Sequence, residues 1–277
     1  YHIFNNSKSD AEALNSSEEQ FVATSYLAKL AFLQGNFSKA LDELSKVYQE
    51  AKANTDVRAM SEFGLWMADW SQQIGDVAKA RQLVGEIKDT IVLRGGVEAK
   101  SFLAYLTKRL NERQPIGEIV PTGNAMDHGH YGLHMRHLLA QAQDKLREGD
   151  RDISSELAAL TRLDFSLHRY EQLEFIELKA VQAMYHQDWP ALKSELRESE
   201  LLMRQSGIHW RSFQFDRLRA RLAKASGQDG QKYLAKVSSK LRQLSANLPK
   251  ELTTAFFERQ MYYTLDDGLK EPNQDDE

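Results

Sequence analysis

The sequence predicts an all-α fold built from stacked helical hairpins, and two observations carry that prediction. First, residues 34–40 (QGNFSKA) resemble residues 74–80 (IGDVAKA), which lie 40 residues later. Second, each copy has an apolar helical stretch before its Gly-(Asn/Asp) turn and another directly after it. Self-similarity at this period is typical of arrays in which each hairpin buries its apolar face against a neighbour.

Composition agrees with a folded domain. The chain has 277 residues, of which 42% are hydrophobic and 27% charged, so it can form a sizeable core. Five prolines leave room for long helices. The net charge of −4 argues against a dedicated nucleic-acid surface, and we therefore expect no nucleic-acid partner.

Sequence signatures of catalysis are missing. The chain has no cysteine, which excludes disulfides, cysteine nucleophiles and thiolate metal sites. It also has no phosphate-binding loop, no dinucleotide-binding glycine motif, no serine elbow and no H-E-x-x-H zinc motif. We therefore expect a protein that is not an enzyme and needs no cofactor.

The two clear repeats share a helical core pattern. Apolar residues after each turn recur at helical spacing, which gives each second helix one wide apolar stripe. Small residues occur at matching places, with Ala28 and Ala68 in the first helices and Ala40 and Ala80 in the second. We expect the paired helices to approach most closely there.

This pattern resembles the tetratricopeptide repeat family over roughly residues 18–94. Leu27-Ala28, Gly35-Asn36-Phe37 and Ala40 match the family's pattern, and Met67-Ala68, Gly75-Asp76-Val77 and Ala80 match it less closely. The family's early Trp and final Pro are missing, and 40 residues exceeds its usual repeat length. The resemblance implies a right-handed superhelix of antiparallel hairpins whose groove binds a protein or peptide.

Weaker turns at Gly149, Asp188 and Gly227 continue the repeat spacing. Prolines and glycines after residue 113 interrupt the helical pattern. The predicted organisation is a spacer (1–17), N-terminal hairpins (18–113), an irregular connection (114–128), C-terminal hairpins (129–247), a capping helix (248–262) over the exposed end of the array and an acidic tail (263–277).

The N-terminal residues indicate either a membrane helix nearby or a processed N-terminus. Residues 1–4 (YHIF) precede a polar run, as expected just outside a membrane helix. No apolar run reaches the length of about 18 residues that a span requires. We favour an extracytoplasmic location over a cytoplasmic one and expect contact with a membrane only through an upstream anchor. Homo-oligomerisation stays open.

Polar side chains define a candidate groove. Arg217, Arg221 and Lys224 recur on one helical side, where they suit capture of a carboxylate or phosphate. Arg136 and Arg147 extend this basic end, whereas Asp69, Gln72 and Gln73 make the other end neutral to acidic. Lys29 completes the set of candidate binding residues.

Histidines cluster where the irregular connection becomes a helix. His130, His134 and His137 would lie on one helical side, with His128 and Asp127 nearby, and imidazoles at this spacing can hold zinc or copper. A histidine-bearing loop packed across the groove is the competing interpretation, and we expect no metal.

The predicted function is protein or peptide binding by a sensory or scaffolding part of a larger bacterial signalling protein. The chain is similar to C-terminal, extracytoplasmic regions of membrane-anchored transcriptional regulators and Ser/Thr kinases. One alternative is a cytoplasmic regulator of the peptide-pheromone-binding type. A second alternative is a metal-dependent enzyme that uses the histidine cluster.

Overall fold

The computed structural model describes residues 17–110, 128–166 and 168–261, and these residues form an all-α structure without strands. The helices are α1 (Ser17–Leu33), α2 (Phe37–Ala53), α3 (Val57–Gln73), α4 (Val77–Arg94), α5 (Val97–Arg109), α6 (His128–Arg147), α7 (Ser154–Leu160), α8 (Arg169–Tyr185), α9 (Trp189–Ser206), α10 (Ser212–Ala225), α11 (Gln231–Ser245) and α12 (Thr253–Gln260), the last preceded by a 3-10 turn (Lys250–Leu252). The predicted all-α class is confirmed.

The chain divides into two compact units. The first unit comprises Tyr1–His137 and Ala246–Gln260, and the second comprises Leu138–Ser245 and Met261–Glu277. Helix α6 therefore begins in the first unit and ends in the second. The predicted spacer, irregular connection and acidic tail lie outside the described residues, except for Ser17 and His128 at their edges.

In the first unit, consecutive helices pack in neighbouring pairs. Helix α1 packs on α2 and α3 packs on α4, while α2 also contacts α3. Helix α5 lies against both α3 and α4. The four alanines at the matched repeat positions, Ala28, Ala40, Ala68 and Ala80, have no exposed surface. Alanine therefore occupies matching buried positions in both hairpins, among larger core side chains such as Phe37 and Trp70.

Glycines in the left-handed backbone region end the first helix of each clear repeat. The φ angles of Gly35 and Gly75 are 83° and 92°, values that residues with a Cβ rarely adopt. Asp76 follows Gly75, and its side chain accepts a hydrogen bond from the backbone N–H of Lys79 at 3.0 Å. The Gly-Asp pair thus ends one helix and caps the next.

The C-terminal segment of the first unit packs against these interhelical turns. Phe256 is fully buried with its ring 5.4 Å from the ring of Phe37, and Ser38 donates a hydrogen bond to the carbonyl of Asn247 at 2.7 Å. Gln260 donates to the carbonyl of Gln73 at 3.0 Å. The sequence led us to expect this helix at the exposed end of the array, whereas its described contacts are with the turns of the first two hairpins.

The second unit repeats the paired arrangement. Helix α8 packs on α9, α10 packs on α11, and α10 also contacts both α8 and α9. A buried polar cluster links α8 to the start of α10, because Arg211 donates to Glu177 at 2.6 Å and forms a second ion pair with Glu174 at 3.1 Å. Arg211 also lies over the ring of Tyr170.

We expect Gly75→Ala to lower the free energy of unfolding by about 1–3 kcal/mol more than Gly149→Ala. The two glycines have nearly identical φ angles, 92° and 91°, so both variants place Ala in the same left-handed φ region. A Cβ on Gly75 would lie 2.6 Å from the carbonyl carbon of Ala255, whereas one on Gly149 would meet nothing within 4 Å. Urea denaturation of both variants measures the difference, and equal losses would show that α12 does not rest on this turn.

Candidate functional site

One side of α3 carries the side chains around which the candidate site of the first unit is built. Trp66, Asp69 and Gln73 follow one another at spacings of three and four residues, which places them on one side of the helix. Trp66 is partly exposed, while Asp69 below it has no exposed surface. We refer to Lys29, Trp66, Asp69, Gln73 and Arg136 as the Trp66 face.

Two cations from different helices converge on the Trp66 ring. The Lys29 Nζ atom, on α1, lies 5.3 Å from the ring centroid, and the guanidinium carbon of Arg136, on α6, lies 4.9 Å from it. Both distances fall within the range of about 6 Å in which a cation is attracted by the aromatic quadrupole. The Phe102 ring meets Trp66 edge-on at 5.3 Å, which fixes the indole from the side of α5.

Asp69 is a buried carboxylate held by an ion pair. Its Oδ2 atom accepts hydrogen bonds from Arg136 at 2.7 Å and from Gln73 at 2.9 Å. Burial raises the pKa of Asp69 above its ordinary value of 3.8, and the opposing effects of Arg136, Gln73 and Arg109 do not cancel that rise. Its Oδ1 atom has no hydrogen-bond partner among the described residues.

The repeat register explains which residues meet at this face. Lys29, Asp69 and Arg109 are spaced 40 residues apart, so they occupy the same position in α1, α3 and α5. Our sequence analysis missed Arg109, although counting one more period from Lys29 and Asp69 would have found it. Our sequence analysis also missed the partial exposure of Trp66 beneath two cations.

Three predicted groove residues are buried, which corrects their expected place on a binding surface. Gln72 is only 1% exposed, because α3 is covered by α2, α4 and α5 and retains a narrow exposed strip. Arg217 is only 3% exposed and donates a hydrogen bond to Gln214, which lies three residues earlier on α10, at 3.1 Å. Asp69 is buried as well, and it contributes to its face through Arg136.

The remaining basic candidates lie in the second unit and stay accessible. Arg221 and Lys224 line a pocket at the turn between α10 and α11. Arg147, at the end of α6, pairs with Asp144 at 2.6 Å on the surface. The structure therefore separates Arg217 from the exposed basic side chains and unites Lys29, Asp69, Gln73 and Arg136 in the first unit.

The histidine cluster lies at the edge of the described residues. His134 is exposed and His137 is partly exposed on α6, whereas the side chains of His128 and His130 lie outside the described part of the chain. Within the described residues, no group of three or more His, Cys, Asp or Glu side chains could hold a metal ion. The described helices also include none that is long and apolar enough to cross a membrane.

Comparison with known proteins found no match among family models, curated proteins or solved structures. The class that the fold and the site define is an all-α protein of consecutively packed helices with a cationic, aromatic face. Functional inference therefore rests on the residues themselves.

Raising the pH should destabilise the wild-type protein relative to Asp69→Asn. Because burial raises the pKa of Asp69, the folded state holds this proton more tightly than the unfolded chain. The stability gained from protonation is fully present below the ordinary pKa and is lost as the pH rises through the raised pKa. Urea denaturation of both proteins from about pH 4 upwards measures the difference, with Asn retaining an acceptor for Arg136.

The opposite slope, in which the wild type gains on the variant as the pH rises, would show that the ion pair with Arg136 outweighs the burial of Asp69.

Proposed function

We propose that the first unit binds an acidic segment of a partner protein or peptide through the Trp66 face. The observation that carries this proposal is the convergence of Lys29 and Arg136 on the partly exposed ring of Trp66. Trp and Arg are the side chains most enriched at energetically dominant positions of protein interfaces. A carboxylate placed beside this ring would meet two cations presented by separate helices.

Local charge supports an anionic ligand. Asp69 is buried and forms an ion pair with Arg136, and the exposed Lys29 lies beside the ring. Arg109 lies close enough to Asp69 to lower the pKa of that carboxyl, which adds a third cation to the same region. Charge of one sign on a surface attracts and orients a partner of the opposite sign.

An apolar stripe on α1 extends the face and supports a ligand longer than one residue. Val22 and Tyr26 are 51% and 48% exposed, and Val22, Tyr26 and Lys29 follow at spacings of four and three residues on one helical side. Large exposed apolar side chains beside polar groups mark interaction surfaces. An acidic segment with an apolar residue about one helical turn from its carboxylates complements this stripe.

The proposal also includes two inferences from the sequence, one about the architecture and one about the biological role. The hairpins would continue as a right-handed, tetratricopeptide-like superhelix, and the chain would serve as the sensory or scaffolding part of a larger bacterial signalling protein. What supports both is the pattern at Gly35-Asn36-Phe37 and Gly75-Asp76-Val77, together with the consecutive packing of the helices.

The test is selection of ligands from a random peptide library displayed on phage, followed by affinity measurement. We expect selected peptides to be rich in Asp, Glu and apolar residues, and their charge-reversed versions to bind at least about tenfold more weakly. Lys29→Ala and Trp66→Leu should each weaken binding about tenfold. The first removes a charged contact with the ligand, and the second removes an aromatic one.

Lys46→Ala is the matched control, because Lys46 is an exposed lysine of the same unit that pairs with Glu43 on α2. Arg136 is left intact, since its loss would strand the buried charge of Asp69 and disturb the fold. Equal affinity of the wild type and Lys29→Ala for the selected peptides, or enrichment of basic peptides, would contradict the proposal.

A further inference from the structure

The turn between α10 and α11 encloses a second site, independent of the Trp66 face. A pocket of about 270 Å³ opens there, lined by charged and amide side chains together with Ala220 and Leu234. The lining residues are Ala220, Arg221, Lys224, Gln228, Asp229, Gly230, Gln231 and Leu234. Its volume lies just below the range of about 300–1,000 Å³ typical of drug-sized ligand sites, so it suits a smaller molecule.

Backbone geometry holds the pocket in shape. Gly227 has a φ of 68°, which turns the chain sharply after α10. A Cβ on Gly230 would lie 2.9 Å from the carbonyl oxygen of Ala220, so the start of α11 lies directly against α10. Asp229 caps this turn, because its Oδ1 atom accepts a hydrogen bond from the backbone N–H of Gln231 at 2.8 Å.

The two cations of the pocket are available to a ligand. Among the residues that the structure describes, neither Arg221 nor Lys224 has a carboxylate within 4 Å or a side-chain hydrogen bond. Elsewhere in this unit, surface cations such as Arg204 and Lys179 are paired with glutamates. The guanidinium presents a planar fork for a carboxylate, and the ammonium adds a point charge one helical turn away.

Charge complementarity indicates the class of ligand. Two cations and one carboxylate, that of Asp229, line the pocket, and the amides of Gln228 and Gln231 add donors and acceptors. A molecule with two carboxylates and one ammonium group has charges complementary to those two cations and one carboxylate. We propose that this pocket binds a small acidic amino acid of the glutamate or aspartate type, with its carboxylates on Arg221 and Lys224 and its ammonium on Asp229.

The test is titration of the full chain with L-glutamate, L-aspartate and glutarate, followed by isothermal calorimetry and by NMR of the backbone amides. We expect saturable binding of one of the two amino acids, with amide shifts concentrated at residues 220–234. Glutarate, which lacks the ammonium group, should bind at least about tenfold more weakly, because it leaves the Asp229 carboxylate facing only carboxylates.

Substitutions of single lining residues test each proposed contact with the amino acid separately. Arg221→Gln and Lys224→Gln should each weaken binding of the amino acid about tenfold, whereas Lys232→Gln should leave it within about twofold. Lys232 lies on α11 outside the pocket lining and carries the same charge, so it controls for the long-range field. Asp229→Asn keeps the capping oxygen and should reduce the preference for the amino acid over glutarate.

Three results would overturn the proposal. One is the absence of saturable amide shifts up to about 10 mM of either amino acid, a concentration at which even weak metabolite sites fill. The second is equal affinity for glutarate and the amino acid in the wild type, which would leave Asp229 without a role. The third is the same loss in Lys232→Gln as in Arg221→Gln, which would show attraction by general charge only.

Discussion

The burial of alanines at matching places in the two helix pairs is the constraint on which the first unit depends. Ala28, Ala40, Ala68 and Ala80 have no exposed surface, and the helices that carry them pack in consecutive pairs. This packing fixes the rotation of each first helix about its axis. Residues at equal places in the repeat then recur on successive first helices: Arg109 lies close enough to Asp69 to lower the pKa of that carboxyl, and Lys29 lies over the Trp66 ring.

Burial of a charge gives this face its particular chemistry. A carboxylate as deeply buried as Asp69 needs a cation, and Arg136 supplies it from α6, beyond residues 111–127. The same guanidinium lies over Trp66, so one side chain joins the buried ion pair to the exposed aromatic ring. Arg136 therefore contributes both to the buried ion pair and to the proposed binding face, whereas Lys29 contributes an exposed side chain over the same ring.

Local periodicity predicted the helices and their turns, because the Gly-(Asn/Asp) pairs and the apolar stripes that define them lie within each repeat. It could not predict contacts made by distant segments. Gln260 donates a hydrogen bond to Gln73, 187 residues away in sequence, and the residue pattern of neither segment predicts that contact. Arg217 shows the same limit at short range: helical spacing placed it beside Arg221, but its burial depends on how α8, α9 and α11 surround α10.

The most direct measurement of the central claim is the free energy of unfolding of Ala68→Leu compared with Ala78→Leu. Ala68 is fully buried in α3, whereas Ala78 is exposed at the start of α4. If the matched alanines set the distance between paired helices, Ala68→Leu overpacks the hairpin and costs about 1–3 kcal/mol, while Ala78→Leu changes stability by less than about 0.5 kcal/mol. Equal stability of the two variants would contradict the register on which the Trp66 face depends.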